Sequence, residues 1–288
     1  WALQSEQLGT GHAVKMALDN LKADGVTLIL YGDVPLIQSN TLQALVDIAK
    51  SNKTGLLTVN MDDPTGYGRI VRDNNHQVKA IVEHKDASEA ELEIQECNTG
   101  ILAVLTEKLH EWLPALSNDN AQGEYYLTDV IEMSVNAGIV VETLQPEFAE
   151  ETYGVNNRAQ QAELERWYQA RLVNELMVKG VTVLDPARLD IRGRVEVGRD
   201  VVIDANVILE GDVVLGDGVL VEANSIIKNS AVAAGTKIRA FSHLEDANVH
   251  QSCEIGPYGR LRPGAILENG AKVGNFCEVK KSVVGEGS

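Results

Sequence analysis

The run Tyr31-Gly32-Asp33 follows directly on the apolar, β-rich stretch Val26-Thr-Leu-Ile-Leu30. A carboxylate at the end of a strand, behind a glycine that allows close approach, can hold a hard cation such as Mg2+ against phosphate oxygens. A turn aspartate capping the next helix fits the same residues. Gln7-Leu-Gly-Thr-Gly-His12 is a glycine-rich loop ahead of a helical stretch, and its backbone amides could meet a base or a phosphate. Gly-x-Gly also occurs in plain turns. Asp63-Pro-Thr-Gly-Tyr-Gly-Arg69 brackets an aromatic with glycines and reads equally as a hairpin turn. Glu83, after the strand-like Ala80-Ile-Val82, and Asn98, in Asn98-Thr-Gly100, put a carboxylate and an amide at neighbouring strand ends. Such a pair could bind sugar hydroxyls, or be ordinary solvated loop residues. Asn156 precedes a helical stretch, where an amide can reach a metal or phosphate and the helix dipole favours anions. The histidines show no metal-binding spacing. Arg260-Leu-Arg262 and Lys280-Lys281 are basic spots in an acidic chain, suited to a phosphate or simply to a solvated face.

The elements that must position these residues fall into two halves. From Ser5 to about Gly154, Val26–Leu30, Leu56–Val59 and Ile101–Val104 read as strands, and Thr41–Lys50 as a helix. Strands alternating with helices imply βαβ units and a largely parallel sheet, whose ligands sit at the carboxyl ends of the strands. Asn157 to about Lys179 reads as a connecting helix with Leu164, Tyr168, Leu172 and Leu176 on one face, and Asn157 with Gln160 as its capping box. From Ile191 onward the period becomes six: Ile191, Val197, Ile203, Leu209, Leu215, Val221 and Ile227, then, after single-residue slips, Val232, Ile238, Leu244, Val249, Ile255, Leu261, Leu267, Val273 and Val279. No α-helix repeats at six. This is the pattern of a hexapeptide-repeat β-helix, each aliphatic side chain pointing into the coil.

The chain has 288 residues, enough for about two domains. Its net charge of −17 argues against nucleic acid or anionic membrane as partner, since phosphate backbones call for clustered Lys and Arg. No apolar stretch is long enough for a membrane span. Three scattered cysteines, Cys97, Cys253 and Cys277, build neither a disulfide framework nor a zinc cage and fit a reducing, cytoplasmic setting. The chain opens at Trp1 without an initiator Met and stops at Ser288 without a terminating element, which reads as a fragment of a longer protein.

Together, the segments Gln4–His12, Leu30–Leu36, Asp63–Ile70, Ile81–Asp86, Asn98–Gly100, Gly123–Asp129 and Gly154–Asn157, followed by a repeat containing Gly256–Gly264 and Val273–Phe276, are specific. In this order they resemble the bacterial bifunctional N-acetylglucosamine-1-phosphate uridyltransferase and glucosamine-1-phosphate acetyltransferase family, over essentially the whole chain. The resemblance implies a Rossmann-like nucleotidyltransferase domain at 1–156, a connector helix at 157–180, and a left-handed parallel β-helix acetyltransferase domain at 181–288. It implies uridylyl transfer from UTP to N-acetylglucosamine 1-phosphate with Mg2+, and acetyl transfer from acetyl-CoA to glucosamine 1-phosphate in a homotrimer built through the β-helix. By similarity Asp33 and Asn156 hold the metal, and Gln4, Gly9 and Thr10 contact uracil. Tyr31 and Gly32 line the nucleotide-sugar site, while Gly68, Glu83, Asn98 and Asn156 contact the N-acetylglucosamine and its phosphate. Arg262 and Lys280 become sugar-phosphate contacts of the acetyltransferase; Tyr258 and Phe276 read as packing residues. The family's triphosphate loop, Leu-Ala-Ala-Gly-x-Gly-Thr-x-Met, the Lys that follows it, its catalytic His and its acetyl-CoA coils are not in this sequence. The 288 residues alone are therefore expected to be inactive in both reactions. Two other readings remain at this point: a monofunctional sugar-1-phosphate nucleotidyltransferase with a regulatory β-helix, and a non-catalytic scaffold subunit of similar fold.

Overall fold

The computed structural model describes all residues, Trp1–Ser288, and they form two compact units, Trp1–Leu164 and Glu165–Ser288. The first unit is built on strands β1 (Val26–Ile29), β2 (Thr54–Asn60), β3 (Arg69–Arg72), β4 (Val78–Val82), β5 (Glu96–Leu105) and β6 (Val141–Leu144). Its helices are α1 (Thr10–Ala17), α2 (Ser39–Lys50), α3 (Glu89–Leu92), α4 (Thr106–Trp112) and α5 (Asp129–Asn136). The helix α6 (Arg158–Val178) runs across the boundary between the units.

The sheet runs β4-β3-β5-β2-β6, with β1 also paired to β5. Only β2 and β6 are parallel; β1–β5, β2–β5, β3–β4 and β3–β5 are antiparallel. The expectation of a largely parallel sheet is therefore corrected to a mixed one. The physical reason lies between β2 and β5. The chain does not cross over through a long helix but makes the β3–β4 hairpin and a single helical turn, so β5 returns antiparallel. Leu56 and Leu57 of β2 and Ile101–Val104 of β5 are buried on both faces of the sheet. They read as unbroken apolar runs for that reason, not because their partners are parallel.

The segment that precedes α6 is fixed by a carboxylate. Glu151 is fully buried, yet each oxygen is satisfied: Gln38 Nε2 donates to Oε1 (2.8 Å), and Thr41 Oγ1 (2.8 Å) and the Gln38 backbone N–H (3.3 Å) donate to Oε2. α2 has no side-chain cap of its own, so this distant carboxylate takes the place of one against the exposed N–H groups and positive end of the helix.

In the second unit the six-residue positions behave as the period implies. All are buried except Val197 and Val279, which pack against the edge of the same column. Leu209 pairs with Ile191 and with Ile227, 18 residues either way, whereas Ile227 pairs with Leu244 at 17. The slips in the sequence are thus coils one residue shorter, absorbed at corners, and every strand pair is parallel. Corner residues adopt left-handed backbone conformations, mainly Asn, Asp and Gly, which tolerate it. Three are aromatic. Phe241, Tyr258 and Phe276 stand on successive coils at φ of 59, 55 and 56°, with stacked rings 4.9 Å apart. Tyr258 and Phe276 do pack, but on the outside of the prism.

The buried positions of α6 also differ from the four-residue pattern: Leu164, Gln169, Val173 and Leu176 are buried, while Tyr168 and Leu172 are half-buried. Gln169 is inside because its amide copies a peptide, donating to Ile191 C=O and accepting from Ile191 N–H, both at 2.8 Å. Asn157 Oδ1 accepts from the N–H groups of Ala159 and Gln160, and Gln160 Oε1 reaches back to Asn156 N–H instead of Asn157. The capping box is therefore shifted by one residue on its return arm. Replacing Glu151 with Ala should cost about 2–4 kcal/mol, because the buried Thr41 hydroxyl and the half-buried Gln38 donors are left without an acceptor. Urea unfolding of the first unit, followed by tryptophan fluorescence, checks this.

Candidate active site

β5 is long enough to serve two strands along one edge. Residues 102–105 pair with β1, and Cys97 with Arg69 of β3. Between them lies Gly100, with φ +79°, where a Cβ would overlap the ring of Tyr31. Asn98 Oδ1 accepts from Gly100 N–H (2.9 Å), and Thr99 Oγ1 donates to Leu57 C=O (2.8 Å), so the kink is held on both sides. As β1 ends at Ile29, the chain lays Tyr31 into this gap.

The result is a cavity of about 230 Å³ whose lining includes Thr10, Tyr31, Gly68, Glu83 and Asn98. Five of the residues singled out in the sequence thus meet in one place. Tyr67, Thr99, Gly100, Gln122, Glu124, Tyr126 and Thr128 complete much of the wall. Of these, Gln122–Thr128 carried no assigned role; the segment Gly123–Asp129 was visible as a motif, but its chemistry depends on where it docks. It docks on the strand-end residues 83–86: Asp86 accepts from Ala121 N–H (3.0 Å) and from the Tyr126 hydroxyl (3.3 Å), and Thr128 Oγ1 donates to Glu83 (3.0 Å).

Gln4, Gly9, Gly32, Asp33 and Asn156 are not part of the cavity lining. Gln4 Nε2 donates to Gly9 C=O (3.2 Å) and meets His12 Nδ1 (3.1 Å). The glycine loop is less open than its sequence suggests, since Gly11 N–H is bonded to Tyr125 C=O and Tyr125 N–H to Leu8 C=O, both at 2.8 Å. Gly32 and Asp33 follow Tyr31 on the exposed turn. Asp33 C=O accepts from Val155 N–H (2.8 Å), and its carboxylate lies against Gly154, so the turn after β1 and the chain just ahead of Asn156 are joined. The side chains of Asp33 and Asn156 have no partner within the chain, which leaves hard oxygen donors free at that junction. Arg262 and Lys280 lie in the β-helix unit, on successive coils. Arg262 continues a column that alternates in charge through Arg192, Glu210, Lys228 and Glu245, Lys280 follows it as a second cation, and Arg262 is bridged to Glu278 (3.0 Å).

Electrostatically the cavity is acidic. Burial pushes the Glu83 carboxyl up from its ordinary value, helped by Asp86 and Glu124, with the Thr128 hydrogen bond opposing them. Burial, then Glu83, raises the Tyr31 phenol. Asp129 is raised from 3.8 to about 6 by burial first, then by Glu132, Glu83 and Asp86. Between those two values the folded protein holds a proton that the unfolded chain has released. Asp129 therefore makes stability fall as pH rises through about 6. Asp129→Asn should raise Tm at pH 8 and leave it nearly unchanged at pH 4, a difference that calorimetry across that range would register.

Residues 1–149 match the family described as Nucleotidyl transferase, and residues 191–287 match the GMPPB C-terminal domain. Over 288 residues the chain is 55% identical to a protein of Acinetobacter baumannii (strain AYE) named Bifunctional protein GlmU, covering 100% of this chain and 63% of that protein. It is 56% identical to the protein of the same name from Burkholderia orbicola (strain MC0-3), covering 100% of this chain and 64% of that protein. The chain thus spans less than two thirds of the length of these curated relatives. A solved structure of UDP-glucose pyrophosphorylase complexed with UDP-glucose aligns at a TM-score of 0.46 and 13% identity, over 58% of this chain and 64% of that chain. The Nucleotidyl transferase match extends over more than half of the chain and contains every residue of the cavity, and the chain accordingly belongs to the nucleotidyl transferase family.

Proposed function

We propose that the intact protein makes UDP-N-acetylglucosamine. Its first domain, 1–156, transfers uridylyl from UTP to N-acetylglucosamine 1-phosphate and releases pyrophosphate. Its β-helix domain, 181–288, belongs to an acetyltransferase that uses acetyl-CoA and glucosamine 1-phosphate, with 157–180 as connector. The relatives' name, Bifunctional protein GlmU, favours two activities over a monofunctional enzyme or a scaffold.

The observation that carries the first reaction is the chemistry of the cavity: hydroxyls, amides and the two carboxylates of Glu83 and Glu124, with no Lys or Arg among its lining residues. Such a wall suits the uncharged ring of an amino sugar and would repel a phosphate. In this reading Glu83 and Asn98 bond the sugar hydroxyls and acetamido group, and Gly68 allows the ring to approach the backbone. Tyr31 and Gly32 cover it at the mouth, Gln4, Gly9 and Thr10 receive the uracil, and Asn156 also contacts the sugar phosphate. The phosphates stay outside the cavity, at the junction of Asp33 with the chain ahead of Asn156.

A carboxylate and an amide with no partner of their own fit Mg2+, which prefers oxygen ligands and keeps substrate phosphates among them. Nearly all of the net charge of −17 falls in the first unit, so a polyanion needs a counter-charge there. Bound Mg2+ supplies positive charge that offsets the repulsion between two phosphate groups. Arg262 and Lys280 take the sugar phosphate of the second reaction. A homotrimer built on the β-helix and a cytoplasmic location complete the reading. No helix is long and apolar enough to cross a membrane, and the cysteines are unpaired.

The test is Mg2+-dependent formation of UDP-N-acetylglucosamine with stoichiometric pyrophosphate by the intact protein; no turnover at saturating substrates would overturn the reading. Asp33→Asn should lower kcat about 1000-fold, as expected for loss of several kcal/mol of charge stabilisation. Gly100→Ala displaces Tyr31 and strains a left-handed position, and should abolish UDP-N-acetylglucosamine binding by calorimetry while acetyl transfer continues.

A further inference from the structure

Thr128 occupies the N-cap position of α5, where threonine ordinarily accepts a hydrogen bond from the first turn of the helix. Here it makes no such bond. Its backbone is already helical (φ −61°, ψ −24°) instead of extended, which turns the hydroxyl away from the helix it should cap. The side chain is buried, and its hydroxyl donates to Glu83 Oε1 at 3.0 Å. A local preference has been given up, and what gains is one oxygen of a carboxylate in the cavity.

We propose that Thr128 is a positioning residue: its hydroxyl holds Glu83 by one oxygen and keeps the other, Oε2, aimed at a hydroxyl of the bound sugar. This deepens the functional reading above and rests on it. Glu83 Oε2 accepts no bond within the chain and lies beside Gly68, the glycine that lets a ligand approach. The groups facing Glu83 from the elements around it are Asp86 beyond β4, Glu124 and Tyr126 on the docked segment, Asp129 at the start of α5, and Tyr31 after β1. None is a cation. Burial, Asp86 and Glu124 all favour the protonated form, and the Thr128 hydroxyl is the one contact that favours the anion. Without it every remaining influence favours the protonated form, which presents a donor where an acceptor is needed.

Thr128→Val keeps the shape and removes the hydroxyl. In the intact protein it should raise KM for N-acetylglucosamine 1-phosphate by up to about 10-fold, with the effect shrinking as pH rises and kcat little changed, because a lost bond of this kind is worth about a factor of ten. Thr128→Ser should restore the wild-type profile. Infrared spectra of 13C-glutamate-labelled protein give a readout that does not need turnover. A protonated carboxyl band should persist to higher pH in Thr128→Val than in the wild type and disappear in the Thr128→Val, Glu83→Gln double variant. A KM that rises equally at every pH, or a serine variant as poor as valine, would mean that Thr128 only packs and would overturn the proposal. So would an infrared band that titrates in Thr128→Val as it does in the wild type. Failure of the wild-type protein to turn over would instead count against the functional reading, and the infrared arm would still decide the role of Thr128.

Discussion

The site depends on one strand serving two neighbours on the same edge. β5 runs for ten residues, Glu96–Leu105, and neither β1 nor β3 is long enough to cover that edge alone. A gap in the ladder exposes backbone groups that must find other partners. Here the gap is held open by Asn98 and Thr99, bent at Gly100, and filled by the ring of Tyr31. Everything that lines the cavity is arranged around that break: Gly68 at the entry to β3, Glu83 at the exit from β4, and the 122–128 segment laid across both. A continuous parallel sheet would have no such gap.

Two carboxylates, one buried and one half-buried, divide the work of holding this arrangement. Glu151 is completely satisfied by donors from α2 and stays structural, joining the chain that leads to Asn156 to the element that follows Asp33. Glu83 has one bond from Thr128 and one open oxygen, in acidic surroundings that penalise its charge. The contrast follows from hydrogen-bond accounting. A buried acid with all its acceptors filled is inert, whereas one left half-satisfied is available to a ligand.

The β-helix and the motifs were legible in the sequence because both are local. A side chain every six residues points into the same column whatever the rest of the chain does, and the positions from Ile203 to Val273 are all buried as the spacing implies. Even the slips carry meaning, as 17-residue coils. The sheet of the first unit was less legible, since an apolar run such as Ile101–Val104 has the same composition whether its neighbours are parallel or antiparallel. Gln169 was hidden for a related reason: nothing in its own segment says that an amide will be buried to pair with Ile191.

The sequence alone determined the repeat, the candidate residues Asp33, Glu83 and Asn98, and the family whose motifs they carry, because residue type and spacing are properties of the chain; that Asn98 lies within β5 and not ahead of a strand was left to the structure. Only the tertiary structure decided which residues share the cavity, that Gln122, Tyr126 and Thr128 form its far wall, and that Glu151 secures α2 from more than a hundred residues away. Those contacts depend on antiparallel pairing and the docking of distant segments, and neither leaves a period or a motif at the residues that take part.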